Sequence, residues 1–309
     1  MKKLALLLIL TLALTTVLAS CSGNYDEGVA TPGTEDGDGT TDGNDIDVKY
    51  NLRYEGYTYN IYDDKEIEIT KYDFDYVAEN DAEALEDEEE ELKTVSLVIP
   101  DKINGIAVTK IAQNAFEKNS VLVSVTVPEG VIEIGNEAFW YSSALESVKL
   151  PDSLKILGSR VFNYCPVLKS IEIPANITEI PAYLCEENSA LESVTFKGAV
   201  TKIGKNAFAY CASLKAIDLG AELVTVEEGA FKWCSSLESV TLGAKVETVG
   251  ASAFANCAKL SAISFGQVKE IGESAFANCA KGAVATFTGS DKTTVIVGNY
   301  NDVIKSALA

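Results

Sequence analysis

The chain has 309 residues, 47% of them hydrophobic, and a formal net charge of −21. That is enough apolar side chain for a sizeable core, and far too acidic for sequence-independent binding to nucleic acid, whose phosphates are held by clustered Lys and Arg. Histidine is absent, which removes the usual general base of Ser and Cys nucleophiles and the commonest nitrogen ligand of zinc.

Residues 1–20 read as a signal peptide: Lys2 and Lys3 give a short basic start, and residues 4–18 are apolar apart from Thr11, Thr15 and Thr16. The run is shorter than the ~20 residues of a membrane span. It ends Leu18, Ala19, Ser20, Cys21, which resembles the lipobox of bacterial lipoproteins: an aliphatic residue and two small ones ahead of the cysteine that receives lipid. The resemblance implies export, diacylglyceryl attachment at Cys21, and contact with the membrane through that lipid.

Residues 21–48 follow as an acidic flexible tether, rich in Gly, Asp and Thr, without a basic residue and with few large apolar ones. The Asp-rich part departs from an EF-hand loop. A loop starting at Asp36 has Thr41 where glycine is required, and one starting at Asp38 has Lys49 where the bidentate carboxylate belongs. A charged spacer is the better description.

Residues 49–110 are expected to form an N-terminal β cap and an acidic loop. Tyr54, Tyr57, Tyr59, Ile61, Ile67 and Ile69 partly alternate, the pattern of a β-hairpin turning near Asp63 and Asp64. Residues 79–91 carry nine acidic side chains and no basic one, as a solvated loop does. Acidity belongs to this end of the chain: residues 22–110 contain 7 basic and 25 acidic residues, residues 111–289 contain 14 and 19.

From residue 111 the chain repeats itself. Ile111, Ile134, Leu157, Ile180, Ile203, Val226 and Val249 open units at intervals of 23 residues, and Ile271 follows after 22, making eight repeats over 111–289. The unit has the form IGxxAFxxCxxLxxVxLP. Phe116, Phe139, Phe162, Phe208, Phe231, Phe254 and Phe276 share one column, and Leu122, Leu145, Leu168, Leu191, Leu214, Leu237 and Leu260 another. Two further columns, among them Val125 and Val127, lie two residues apart, so both side chains reach one face of a short strand. One unit cannot bury that face alone, but stacked units share a continuous core. The expected fold is an α/β solenoid: a parallel β-sheet stacked from the repeats, with short helical turns opposite at the AF segments. Residues 290–309 should form a C-terminal cap.

These units resemble the BspA-like bacterial leucine-rich repeats over about residues 95–289. The resemblance implies a cell-surface protein, often a lipoprotein, in a group with members associated with adhesion; it does not imply one shared ligand. Two units depart from the pattern. The one opened by Ile180 has Pro181 for the glycine and Cys185 for the phenylalanine, a local distortion. The last has Gly282 in the leucine column and Ala285 in the next, where fraying is expected.

Cys165, Cys211, Cys234, Cys257 and Cys279 share a column that Asn119, Ser142 and Asn188 fill elsewhere. An internal ladder satisfying backbone groups, disulfides between adjacent turns, and a thiolate metal site are the three readings, in that order, since a straight row of sulfurs does not make a tetrahedron. Tyr141, Tyr164, Tyr210 and Trp233 occupy the column before it, next to Trp140, and form a candidate binding strip of the kind interfaces favour. On the strand face Glu146, Lys169, Glu192, Lys215 and Glu238 alternate in sign from turn to turn, which suits register support.

No residue set points to catalysis, a metal or a cofactor. The sequence is read as a non-enzymatic, lipid-anchored, extracytoplasmic protein, displayed on the bacterial surface and presenting a repeat face to a protein or glycan for adhesion or contact with host or neighbouring cells. The alternative is a structural or assembly component of the envelope that binds the cell's own proteins.

Overall fold

In the computed structural model, residues 48–74, 94–266, 268–287 and 294–296 are described. The expected signal peptide, Cys21, nearly all of the expected tether, the acidic stretch 79–91 and most of the expected C-terminal cap lie outside them.

The N-terminal part is an antiparallel meander of Val48–Tyr54, Tyr57–Tyr62 and Glu66–Tyr72. Its two tight connections use positive φ: Glu55 (44°) with Gly56 (82°), and Asp63 (50°) with Asp64 (53°). Two consecutive left-handed residues match the right-handed twist of the strands they join. Glu66–Tyr72 then pairs in parallel with Ile106–Ile111, which ties the meander to the first turn of the solenoid. Tyr72 lies 6.0 Å from Phe116, so the phenylalanine column is covered at this end by an aromatic ring.

Each 23-residue turn has three sides, and each side is a ladder of backbone hydrogen bonds to the neighbouring turns. The first carries the strands that end in the repeat-opening residue, such as Glu133–Ile134 paired with Ile156–Leu157. Gly135 donates to Ile111 O, Gly158 to Ile134 O and Gly204 to Ile180 O, at 2.8–2.9 Å. Pro181 has no N–H to give Leu157 O, and here the ladder divides into two sheets, between Ile156–Leu157 and Glu179–Ile180. On this side the distortion expected from sequence is a break in the ladder.

The second side carries the strands of the paired apolar columns, from Val95–Val98 through Leu122–Thr126, Ser147–Lys149 and Ser170–Ile173 to Ser193–Phe196. It resumes at Ser239–Thr241. In the intervening turn the Asp218 carboxylate accepts the Gly220 amide at 3.0 Å, a local turn that competes with the ladder, and one isolated bridge, Asp218 to Thr241, remains. The last repeat does not fray as expected: Val284–Phe287 keeps full parallel register with Ala262–Phe265, and Thr294–Ile296 adds an antiparallel strand beside it.

On the third side the expected helical turns are replaced. The AF segments are turns, with two residues per repeat at positive φ: Glu137 and Tyr141 at 58°, Arg160 and Tyr164 at 57° and 61°, Asn206 and Tyr210 at 51° and 62°. A right-handed helix tolerates no such residue. Alternate amides point along the solenoid instead. Asn114, Phe116 and Lys118 donate to Asn136, Ala138 and Trp140 of the next turn at 3.1, 2.8 and 2.6 Å. Helical bonding would have kept those donors within one turn.

Between the three ladders sits the core. Phenyl rings stack at 5.0 and 5.5 Å from Phe116 to Phe162, and at 5.1–5.5 Å from Phe208 to Phe276. Cys185 breaks the stack, and the same turn contributes Phe196, whose ring meets Phe208 edge-on at 6.5 Å. The leucine column is fully buried.

Close stacking leaves no room for a side chain at the glycines that follow the opening residue, Gly135, Gly158, Gly204, Gly250 and Gly272. A Cβ on Gly158 would stand 2.5 Å from the Asn136 amide nitrogen. Gly158→Ala should therefore lower stability by about 2 kcal/mol, read as a fall in Tm of roughly 5 °C. Gly220→Ala meets open space and only an unfavourable φ, so its loss should be about half as large.

Candidate functional site

The four strip residues come together on the turn side of the solenoid. Tyr141, Tyr164, Tyr210 and Trp233 are 38–45% exposed although each ring has a stacked neighbour. Tyr141 and Tyr164 stack at 4.7 Å with planes 12° apart, and Tyr210 and Trp233 at 6.2 Å and 10°. All four are left-handed residues, φ 58–65°. Their amides are fixed to the next turn: Tyr141 to Asn163 O, Tyr164 to Glu186 O, Tyr210 to Lys232 O and Trp233 to Ala255 O, at 2.7–2.9 Å. The rings thus stand on an ordered backbone, which lowers the entropy lost when a partner settles on them. Glu187 fills the turn between the two stacks.

Sequence spacing did not show what flanks the strip. Lys118 Nζ lies 4.9 Å above the Trp140 ring, and the Arg160 guanidinium 4.4 Å above Tyr183. Asn163 and Asn206 donate from Nδ2 to the two oxygens of Glu186 at 3.0 and 3.1 Å. Partial burial pushes the Glu186 carboxyl above its ordinary range, against those two amides. Glu186 and Glu187 belong to one of the two units that depart from the repeat pattern, and that was the available signal.

The strand face is flatter in chemistry. Of the alternating charges, Lys169 and Glu146 close an ion pair at 2.6 Å. Further pairs between turns were not foreseen: Lys202 with Glu227 at 2.7 Å, Lys205 with Glu228 at 2.9 Å, and Lys269 with Glu247 at 2.7 Å. Exposed pairs of this kind are screened by water and add little to stability.

The cysteine column is a hydrogen-bonded ladder of free thiols. Each sulfur donates to a backbone carbonyl of the preceding turn: Cys165 to Phe139 O, Cys211 to Cys185 O, Cys234 to Phe208 O, Cys257 to Phe231 O and Cys279 to Phe254 O, at 3.1–3.4 Å. Ser142 does the same to Phe116 O. Asn188 accepts the Cys165 amide at 2.7 Å. Burial pushes every thiol up, Cys165 and Cys279 to about 12. Among the described residues no cluster of three or more His, Cys, Asp or Glu side chains is placed to hold a metal ion.

Comparison with known proteins places this geometry. Residues 90–215 and 201–299 match the BspA type leucine-rich repeat region, in six copies. Among solved structures, the T. pallidum leucine-rich repeat protein TpLRR is 28% identical with a TM-score of 0.56, covering 69% of this chain and 91% of its own. A leucine-rich repeat protein from Bacteroides ovatus is 24% identical with a TM-score of 0.52, covering 74% and 69%. No curated protein matches.

The thiols link stability to pH. Unfolded cysteines lose their protons near pH ~8.5, whereas the buried ones hold theirs to higher pH. The folded state then binds more protons than the unfolded state, so stability is fully present below about pH 8 and falls as pH rises beyond it. Thermal melts from pH 7 to 10.5 should show the decline, and Cys234→Ser should make it shallower. At pH 8 a thiol-specific disulfide reagent should leave Cys165, Cys185, Cys211 and Cys234 unlabelled until denaturant is added. Prompt native labelling would contradict the buried ladder.

Proposed function

Because the chain belongs to the BspA-type leucine-rich repeat family, we propose that it is a surface-displayed, lipid-anchored binding protein whose aromatic strip engages a protein or glycan ligand in adhesion. The observation that carries this reading is the strip itself: Tyr141, Tyr164, Tyr210 and Trp233 in register, exposed, and stacked in pairs. Four large aromatic side chains held in water on a fixed backbone lower the entropy cost of binding and offer apolar area with polar tips.

Support for the anchor is chemical. Leu18, Ala19 and Ser20 before Cys21 resemble the pattern that a lipid-transferring enzyme reads, and the acidic residues that follow would be repelled by an anionic surface. In this reading the solenoid is not an enzyme, the lipid at Cys21 holds it to the bacterial membrane, and no nucleic acid is involved.

Two measurements test the proposal. Cells expressing the chain and fed a labelled fatty acid should yield a labelled protein that stays with the membrane, and Cys21→Ala should abolish both label and retention. The full-length protein, screened against matrix proteins and glycans, should bind one class saturably. Tyr164→Ala, Tyr210→Ala or Trp233→Ala should then weaken binding by about 30-fold, the usual scale for a central aromatic. Full affinity in all three variants would remove the strip from the binding surface.

A further inference from the structure

Glu187 occupies the strip column between Tyr164 and Tyr210. It shares their left-handed geometry, φ 65°, and its amide is fixed to Ala209 O at 2.8 Å. Tyr164 has one face against Tyr141 and Tyr210 has one face against Trp233, with nearly parallel planes. The opposite faces of Tyr164 and Tyr210 are thereby turned toward the Glu187 turn. Two turns at the usual strand spacing separate those faces by about 10 Å. The result is a slot with an aromatic wall at each end and a carboxylate between them, open to solvent along its outer side, where both tyrosines and Glu187 are exposed.

The basic side chains nearby are engaged elsewhere. Arg160 covers Tyr183 and pairs with Glu137 at 3.6 Å, Lys205 pairs with Glu228, and the neighbouring Glu186 is held by Asn163 and Asn206. Among the described residues Glu187 has no ion-pair partner. The same face also shows how its rings behave toward cations, since Lys118 and Arg160 each lie over one.

Building on the strip as a binding surface, we propose that the Tyr164–Glu187–Tyr210 slot receives the guanidinium or ammonium group of an arginine or lysine side chain on a partner protein. A ring face attracts a cation through its quadrupole, and the carboxylate adds a charge-assisted hydrogen bond. Arginine fits best, because its planar head lies flat against a ring while two N–H groups reach one carboxylate. The net charge of −21 draws such partners toward the chain. Glycan hydroxyls would use the ring faces too, but would gain nothing from the charge of Glu187.

The test separates this slot from diffuse attraction to the acidic N-terminal region. The full-length chain, labelled at its tyrosine rings, is titrated at physiological salt with N-acetyl-arginine amide, N-acetyl-lysine amide and the neutral N-acetyl-glutamine amide, and followed by NMR. The two cations should shift the Tyr164 and Tyr210 rings saturably, arginine more tightly, and the glutamine probe should not. Glu187→Gln should raise the apparent Kd for arginine at least fivefold. Glu273→Gln, a change at an exposed carboxylate in another repeat, should leave it unchanged. Equal shifts with the neutral probe, or an unaltered Kd in Glu187→Gln, would overturn the assignment. If a macromolecular ligand is lost in Tyr164→Ala yet kept in Glu187→Gln, the strip stands as a binding surface and the cation slot falls. If the arginine probe binds the slot and no ligand of the screen depends on the strip, the slot stands and the adhesion reading falls.

Discussion

Backbone hydrogen bonds on all three sides between turns that repeat every 22 or 23 residues are the constraint from which the rest of this molecule follows. Buried amides and carbonyls must be paired, and here the pairing runs along the solenoid axis. Once each turn is tied to its neighbours at that offset, residues at equivalent positions are forced into columns. Phenylalanine meets phenylalanine, leucine meets leucine, and a thiol meets the carbonyl one turn back. The packing density of the core follows from the register.

Because columns are obligatory, each departure from the repeat has a local cost and a visible result. Pro181 withdraws one donor and one sheet becomes two. Asp218 diverts one amide and the second ladder thins to a single bridge. Cys185 removes one ring and the phenyl stack is interrupted. None of these ends the solenoid, since the other two sides of the affected turn keep their bonds. In a quasi-one-dimensional fold stability is a sum over neighbours, so a defect stays where it is.

The same constraint produces the candidate site. Left-handed residues on the turn side allow the chain to bend sharply while its amides still reach the next turn, and the strip residues stand at one of those positions. Their rings are carried outward by backbone geometry and stacked by the repeat length. The turn at Ile180 departs in its ladder at Pro181, in the core at Cys185, and on the surface, where Glu187 parts the two aromatic stacks. A regular array offers the same surface many times over, whereas here Glu187 sets one turn apart from its aromatic neighbours.

Periodicity alone determined a great deal. The 23-residue spacing, the identity of the core columns, the thiol ladder and the aromatic strip are all legible in the sequence, because a fixed offset turns a one-dimensional pattern into neighbours. Tertiary structure decided what an offset cannot encode. An AF segment of this length suits a helical turn as well as the observed alternation of left- and right-handed residues, and only the demand of the neighbouring turn for hydrogen-bond donors separates the two. Continuation of the last repeat into a full strand depended likewise on the edge presented by Ala262–Phe265, since Gly282 and Ala285 have little intrinsic strand preference. Whether Glu186 and Glu187 pair with nearby cations depends on side-chain reach across turns. Arg160 and Lys205 find other partners, and that choice is made by three-dimensional distance.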